Sequence, residues 1–187
     1  MAREKRIGII AEDISDFTSL TKLIPKIKSG KYVFRKALGK GCGRLRSKSH
    51  RFGTVLLDQG CTELIVIRDS DGEDANKLKQ EIRTALHPNP FEKHVIVIAV
   101  QELESWLLAD IKAVHQVFSR TKRAPREIPS PEVIDNPKEY LSAFVKANYG
   151  KKYLNSIHNS KIADGMSINK ITRKCPSFMD LVNFVNA

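Results

Sequence analysis

The segment LIVIRDSDGED, residues 64–74, joins an aliphatic run to a cluster of acids. Apolar residues fill positions 64–67, Arg68 follows, and acids then occupy four of the next six positions. A short aliphatic run with β-branched residues predicts a buried strand, and Gly72 allows the chain to turn sharply after it. The segment therefore predicts a strand whose carboxyl end carries closely spaced carboxylates.

Strands and helices are predicted to alternate on both sides of this segment. Strands are expected at 5–11, 31–35, 63–68 and 94–100, with helices at 14–28, 44–59, 74–86 and 102–110 and a glycine-rich loop at 39–43. Strands that are apolar throughout and alternate with amphipathic helices are typical of a parallel sheet covered on both faces. We therefore expect residues 1–120 to form a Rossmann-like α/β domain with a mainly parallel sheet. Residues 121–187 are expected to add a C-terminal helical extension that packs on the same domain.

The bulk composition indicates a globular protein of 187 residues, 41% apolar and 28% charged. The N-terminal apolar run at 7–11 is too short for a signal peptide or a membrane span, so a cytoplasmic protein without a membrane partner is expected. Three widely spaced cysteines without a C-x-x-C pair indicate neither a disulfide framework nor structural zinc.

The net charge of +11 is concentrated in one part of the chain. Residues 17–57 contain eleven Lys or Arg residues and no Asp or Glu, and the remainder of the chain is balanced. Such a block is typical of a protein that binds a polyanion, most often nucleic acid, although a solvated helix surface has the same composition. Contacts to a nucleic-acid backbone are expected from Arg35, Lys36, Lys40, Arg44, Arg46 and Lys48.

Acids also follow the first and the fourth predicted strands. Glu12 and Asp13 come after the first strand, and Glu102 and Glu104 come after the fourth. Ligands of an open parallel sheet bind just beyond the carboxyl ends of its strands. Carboxylates that meet there repel each other unless a cation neutralises them, and oxygen-only ligands suit Mg²⁺ or Mn²⁺ better than zinc. The acids therefore predict a shared Mg²⁺ or Mn²⁺ site.

Asp69 and Asp71 are the central candidates for metal ligands. Residues two apart in an extended backbone point to the same face, so both side chains are expected to face the metal. Glu73 and Asp74 are instead expected in the first turn of the following helix, where acids interact favourably with the helix dipole. An isolated D-x-D pair is also compatible with Asp69 as a simple helix cap.

Other known motifs match the sequence less well. An EF-hand loop requires its glycine later than Gly72 and is excluded. The D-x-D-G after a strand resembles the first motif of the haloacid dehalogenase phosphatases, whose leading Asp is a nucleophile. Here that motif lies in mid-chain, and Glu73 follows the glycine. The G-x-x-x-x-G-K-[ST], G-x-S-x-G and H-E-x-x-H motifs are absent from the sequence.

The order of the acids resembles that of the Toprim family of nucleases, topoisomerases and primases. The segments that carry the resemblance are IGIIAED (7–13), a first strand that ends in an acid, and LIVIRDSDG (64–72), a mid-chain strand that ends in D-x-D. The resemblance covers roughly residues 5–110. It implies a Toprim-like α/β fold and a divalent-metal site.

The Toprim resemblance implies a particular set of metal ligands. In that family the first-strand Glu and the D-x-D pair ligate the metal, and the matching residues here are Glu12, Asp69 and Asp71. Asp16 matches the E-x-x-x-D pattern of many members, which adds it to the candidate ligands. Asp13 stands where members usually have glycine and competes with Glu12.

Two further stretches, AVQELESWLLAD (99–110) and CPSF (175–178), resemble an uncharacterised group within the Toprim superfamily. Members of that group are sometimes linked to bacterial anti-phage loci and to partner ATPases. The resemblance implies that Glu102 and Glu104 are candidates for a second metal position or a general base. It also implies a role in antiviral defence together with a partner ATPase.

The function expected from these features is that of a Mg²⁺- or Mn²⁺-dependent nuclease, with DNA a better substrate than RNA. Metals held by carboxylates can supply the nucleophilic water and stabilise the charge of the phosphoryl group, and Lys40 or Arg44 in the glycine-rich segment can contact the scissile phosphate. The expected catalytic residues are Glu12, Asp69, Asp71, Glu102, Glu104 and Lys40. Homo-oligomerisation is compatible with the sequence. The alternatives are a non-catalytic nucleic-acid-binding or adaptor module and a haloacid-dehalogenase-like phosphatase.

Overall fold

The computed structural model describes residues 4–39, 42–119, 121 and 123–187, and for residues 42–47 the backbone alone. In these residues an all-parallel sheet has its strands in the spatial order 32–38, 5–11, 63–69 and 93–99. Its strands are β1 (Lys5–Ala11), β2 (Tyr32–Leu38), β3 (Glu63–Asp69) and β4 (Lys93–Ala99). The helices are α1 (Ile14–Ile27), α2 (Cys42–Asp58), α3 (Ala75–Ala85), α4 (Glu104–Leu108), α5 (Ile111–Phe118), α6 (Pro137–Tyr149), α7 (Asn155–Gly165), α8 (Ile168–Lys174) and α9 (Met179–Asn186). Short 3₁₀ turns lie at Pro131–Val133 and Pro176–Phe178.

The strands are apolar throughout because both faces of the sheet are covered. In β3, Ile65 and Ile67 pack into one hydrophobic cluster, while Leu64 and Val66 pack into the cluster on the opposite face. Helix α1 and helices α4 to α9 contribute to the first cluster, and α2 and α3 contribute to the second. This arrangement confirms the predicted Rossmann-like α/β fold with a parallel sheet flanked by helices.

The C-terminal helices share the hydrophobic cluster of the sheet. Leu141 of α6, Ile162 of α7 and Leu181 of α9 are fully buried in the same cluster as Ile9 of β1. Because these residues lie after position 120, the cluster crosses the boundary expected between the α/β domain and its extension. Among the described residues, none of the helices has the length and apolar character required to cross a membrane.

Partly buried ion pairs also attach the segments before α5 and α6 to the C-terminal helices. Lys170 Nζ donates to Asp110 Oδ1 and to Glu127 Oε1, in each case at 2.7 Å. Burial alone would raise the pKa of both carboxyl groups, but the hydrogen bond and charge of Lys170 hold each pKa below its ordinary value. Lys174 Nζ adds a second hydrogen bond to Glu127, at 2.7 Å.

Element boundaries differ from the sequence predictions at several places. Helix α2 begins at Cys42, so the prediction that Cys42 and Gly43 belong to a loop is wrong. Glycine inside a helix costs only about 1 kcal/mol relative to Ala, which the rest of a long helix can offset. Helices α5 and α8 were not predicted. Helix α5 begins after Asp110, whose side chain accepts a hydrogen bond from the Ala113 amide at its first turn.

The strand order creates a switch point between β1 and β3. The chain leaves β1 through α1 on one face of the sheet and leaves β3 through α3 on the other face. The two loops therefore diverge above neighbouring carboxyl ends, and open α/β sheets bind ligands in such crevices. Strand β2 ends at the same edge, since the Gly39 amide donates to the Ala11 carbonyl at 2.9 Å.

Candidate functional site

Carboxylates from three neighbouring strand ends converge at this switch point. Asp69 ends β3, and burial raises its pKa well above the ordinary value. The negative charges of Asp16, Glu104 and Glu12 raise it further. Asp16 lies in the first turn of α1, Glu104 is the first residue of α4, and Glu12 directly follows β1. The structure therefore brings together acids that are separated by up to 92 positions in the sequence, between Glu12 and Glu104.

Asp16 is one of the buried carboxylates of this cluster, with 7% of its surface exposed. Burial and the nearby Asp13 charge raise its pKa to about 8, although the Asp13 amide donates to Asp16 Oδ2 at 3.2 Å. Asp13 itself caps α1, because its Oδ1 accepts hydrogen bonds from the Ser15 and Asp16 amides at 2.6 and 3.3 Å. Asp13, the competitor of Glu12 in the sequence analysis, is therefore engaged in helix capping.

Glu12 is paired with an arginine that the sequence analysis did not assign to the site. Arg68, of which 4% is exposed, places Nε 3.6 Å from Glu12 Oε1 and Nη2 2.9 Å from Glu73 Oε1. Burial and the Asp71 charge raise the pKa of Glu12, and Arg68 opposes that shift. Among the described residues, Glu12 Oε1 and Arg68 Nε have no hydrogen-bond partner. The only sequence signal for Arg68 was a charged residue at the end of an apolar strand.

Asp69 and Asp71 do not share one face of an extended strand, so this geometric prediction is wrong. Asp71 has a φ of 47° and Gly72 a φ of 81°, so the turn begins one residue before the glycine. The Asp71 amide donates to the Gln101 carbonyl at 3.0 Å, and the Asp71 side chain is exposed. Asp69 Oδ1 accepts a hydrogen bond from the Leu103 amide at 2.9 Å. Asp71 nevertheless lies close enough to the cluster to raise the pKa of Glu12.

The two acids after Asp71 have separate roles. Asp74 is the N-cap of α3, one residue before the first turn in which it was expected, and its Oδ1 accepts from the Lys77 amide at 2.8 Å. Glu73 lies before the helix and pairs with Arg68, so the prediction that it belongs to the first helical turn is wrong. The ion pair with a buried guanidinium accounts for its position.

The acids after β4 are held by the C-terminal part of the chain. Glu102 Oε2 accepts from the Lys138 amide at 2.8 Å, which satisfies a free N–H group at the start of α6. Glu104, 4% exposed, accepts at Oε1 from the Tyr153 hydroxyl at 2.9 Å and from Asn159 Nδ2 at 3.1 Å. The Tyr153 hydroxyl also contacts Asn159 Oδ1. Tyr153 and Asn159 fix the orientation of Glu104, and no sequence motif marked either residue.

The chemistry of these side chains fits a hard divalent cation, since the cluster offers carboxylate oxygens and no sulfur or imidazole. The buried Glu12 Oε1 without a hydrogen-bond donor is consistent with such a ligand. In the part of the chain that the structure describes, however, no three Asp, Glu, His or Cys side chains are placed so that they could hold a metal ion together. Arg68 occupies the position next to Glu12, and Asp69 and Glu104 oxygens accept hydrogen bonds from nitrogen or hydroxyl donors.

Part of the predicted basic surface lies near the carboxyl end of β2, where Lys36 and Lys48 line one cavity with Gly39. Arg35, Lys36 and Lys48 are exposed, and Lys36 lies over the Phe17 ring at 5.6 Å from its centroid. Lys40 lies outside the described residues, and the side chains of Arg44 and Arg46 do too, although both belong to α2.

Other cations of the basic block serve the fold. Lys22 pairs with Asp164 at 3.4 Å, Lys26 Nζ donates to the Asp164 carbonyl at 2.6 Å and Lys28 Nζ donates to the Asn186 carbonyl at 2.9 Å. These three lysines of α1 and its C-terminal end therefore attach the C-terminal helices. The basic block therefore leaves fewer cations available to bind a polyanion than its composition indicates.

The fold and the site define a class: an open, parallel α/β protein with an acidic cluster at the switch point of its sheet. The chain belongs to the family described as Domain of unknown function (DUF4276), whose model matches residues 11–186. That match spans both the α/β part and the C-terminal helices that hold Glu104. No curated protein and no solved structure matches the chain.

Proposed function

We propose that this protein is a divalent-metal-dependent nuclease that hydrolyses phosphodiester bonds, with DNA as the preferred substrate. The observation that supports the proposal most strongly is the convergence of Glu12, Asp16, Asp69 and Glu104, whose burial and mutual repulsion raise the pKa of Asp16 and Asp69. Perturbed carboxylates in a crevice are typical of functional sites, because a stable fold alone does not require such repulsion. Here the crevice is also the position where open α/β sheets bind ligands.

A divalent cation would relieve this repulsion and supply a nucleophilic water together with charge stabilisation at the phosphoryl group. Glu12, Asp16, Asp69 and Asp71 are the residues that we assign to hold Mg²⁺ or Mn²⁺. Glu104 is the stronger of the two candidates for a general base or second metal position. Its carboxylate faces the cluster, whereas the Glu102 carboxylate binds the first turn of α6.

The exposed cations at the end of β2 support a polyanionic substrate. The hydrogen bond between the Gly39 amide and the Ala11 carbonyl places the end of β2 directly beside the residue that precedes Glu12. Phosphates bound by Lys36 and Lys48 would therefore lie at the same sheet edge as the carboxylates. Lys40 remains our candidate for contact with the scissile phosphate.

The Toprim resemblance supports the same assignment of the acids. It extends the proposal to a defence effector that works with a partner ATPase, with homo-oligomerisation as a further expectation. Contacts to phosphates position the nucleic acid without specifying its bases, so we expect cleavage with little sequence specificity.

The direct test measures cleavage of supercoiled plasmid and of labelled single strands by chelator-treated protein after addition of Mg²⁺ or Mn²⁺. We expect cleavage that depends on the metal and is lost in Asp69→Asn. The matched control is Asp135→Asn, the same chemical change at an exposed aspartate outside the cluster. Circular dichroism of each variant establishes that it is folded. Metal-independent cleavage, or full cleavage by folded Asp69→Asn, would contradict the proposal.

A non-catalytic nucleic-acid-binding module is the second candidate, and the pairing of Arg68 with Glu12 favours it. In that case Arg68 neutralises the cluster in place of a metal, and the acids serve the fold. This alternative predicts salt-sensitive binding of nucleic acid without turnover. Hydrolysis of a generic phosphate ester without phosphodiester cleavage would instead support the haloacid-dehalogenase-like phosphatase.

A further inference from the structure

A groove between the end of β2 and the middle of α2 combines cations with exposed apolar surface. It encloses a cavity of about 450 Å³, and its walls include Lys36, Leu38, Lys48, Arg51, Phe52 and Val55. This set overlaps the predicted nucleic-acid contacts only at Lys36 and Lys48. Arg51 and Val55 have no role in the fold-level or catalytic assignments above, and Phe52, which packs against the second hydrophobic cluster, remains partly exposed.

The charge of the groove is not neutralised by neighbouring acids. Lys48 and Arg51 are exposed, and within the described residues neither forms an ion pair with a carboxylate. None of the described residues that line the groove is acidic. An anion that enters the groove therefore meets only positive charge.

The apolar part of the groove distinguishes between kinds of nucleic acid. Val55 is 42% exposed although it lies next to two cations, and Leu38 and Phe52 are partly exposed on the same walls. A duplex presents phosphates at its surface and keeps its bases stacked inside. Unstacked bases of a single strand can contact apolar side chains while the adjoining phosphates contact the cations. The combination of surfaces therefore fits a single strand better than a duplex.

Among the described residues, the lining also lacks a side-chain group that would select RNA over DNA. The described residues around the cavity contribute ammonium, guanidinium, aliphatic and aromatic side chains, and none contributes a carboxylate, amide or hydroxyl group. A protein that selects RNA commonly hydrogen-bonds its 2′-hydroxyl group. This lining provides no side-chain acceptor for that hydroxyl, and the apolar surface is compatible with deoxyribose.

We propose that this groove binds single-stranded DNA, with Lys48 and Arg51 on the phosphates and Phe52 and Val55 against the bases. The inference deepens the proposed nuclease function by naming its substrate class. Gly39 lines the groove and donates to the Ala11 carbonyl, so a bound strand continues along the sheet edge that carries Glu12. Binding itself requires no metal and no cleavage.

The test is fluorescence anisotropy in EDTA with a labelled 12-nucleotide DNA strand, its duplex and the RNA strand of the same sequence. We expect the DNA strand to bind at least tenfold more tightly than the duplex and no less tightly than the RNA. Lys48→Glu and Arg51→Glu should each weaken binding at least fivefold. Val55→Ser should weaken binding of the strand about threefold without affecting the duplex, because it removes apolar contact rather than charge. Lys112→Glu, the same charge change at an exposed lysine of α5, is the matched control and should stay within twofold of the wild type.

The binding measurements test the single-stranded DNA site independently of the nuclease proposal. Equal or tighter binding of the duplex overturns the single-strand assignment, and tighter binding of the RNA overturns the DNA assignment. Wild-type affinity in both charge-reversal variants removes the groove as the binding site. Asp69→Asn should bind the DNA strand like the wild type, so a loss of cleavage in that variant reports on the catalytic site alone. Strand binding without any cleavage by the wild type would contradict the nuclease proposal and leave this inference intact.

Discussion

Replacement of Asp16 by Asn should stabilise the chelator-treated protein at neutral pH. Asp16 is 7% exposed, and burial together with neighbouring charges raises its pKa from 3.8 to about 8. Between these two pH values the native state holds a proton that the unfolded state has released, so stability decreases as the pH rises from about 4 to about 8. Asn carries no charge and keeps an oxygen that can accept from the Asp13 amide.

The magnitude follows from the size of the pKa shift. Roughly three pKa units separate the ordinary value from pH 7, and each unit corresponds to about 1.4 kcal/mol, which gives an upper limit of about 4 kcal/mol. Since the carboxylates of the cluster titrate together, we expect Asp16→Asn to gain about 2–4 kcal/mol at pH 7 and about 1 kcal/mol or less at pH 4.5. For a chain of this length that gain corresponds to a rise in Tm of about 5–12 °C at pH 7.

Thermal unfolding in EDTA, followed by circular dichroism at pH 4.5 and at pH 7, measures the gain in stability at each pH. Asp135→Asn is the control and should leave Tm unchanged within about 1 °C at either pH, since surface substitutions have small effects. A lower or unchanged Tm of Asp16→Asn at pH 7 would refute the argument that repulsion between buried carboxylates destabilises this site.

Three further substitutions test other contacts of the site and the fold. Tyr153→Phe removes the hydroxyl group that orients Glu104, and should lower cleavage at least tenfold while it destabilises the protein by only about 1–2 kcal/mol, as measured by urea unfolding. Arg68→Met leaves the carboxylate of Glu12 without its cation and should cost about 3 kcal/mol in EDTA, part of which Mn²⁺ restores in a thermal shift assay. Lys170→Met removes the ammonium group that lowers the pKa of two acids. It should destabilise the protein above about pH 5 and have progressively less effect below about pH 4, where those acids become protonated.

Controls and opposing outcomes separate these effects from general damage. Tyr140→Phe changes an exposed tyrosine and should alter neither cleavage nor stability. Lys112→Met removes an exposed ammonium group, and its effect on urea unfolding should be small and independent of pH. If Mn²⁺ stabilises Arg68→Met no more than the wild type, the metal does not act beside Glu12. A cost of Lys170→Met that is the same at pH 3 and pH 7 would mean that its carboxylate partners contribute no pH dependence.

The fold could be predicted from the sequence because the sheet is buried on both faces. Strands β1, β3 and β4 are aliphatic nearly throughout, so each appears as a continuous apolar run with acids or turns at its end. The helices that were missed, α5 and α8, have eight and seven residues. Such short segments show too few turns for their periodicity to distinguish them from irregular structure.

The site could be predicted only as far as strand order allows. Acids follow the predicted strands, and the carboxyl ends of parallel strands lie at the same edge of a sheet. Glu12, Asp69 and Glu104 could therefore be predicted to lie near that edge. The local geometry of Asp71 depends on a left-handed backbone conformation that the D-G pair permits but does not require. The donors to Glu104 lie 49 and 55 residues further along the chain, where no motif identifies Tyr153 or Asn159.

Metal-dependent cleavage requires that the acids at the ends of β1 and β3 bind a divalent cation. A crystal soaked in Mn²⁺ and measured at an anomalous wavelength tests it most directly. We predict anomalous density within coordination distance of carboxylate oxygens of Asp69 or Asp71 and of Glu12, with no such density in crystals of Asp69→Asn. Well-ordered carboxylates without anomalous density, and with Arg68 still paired to Glu12 at high Mn²⁺ concentration, would contradict the account.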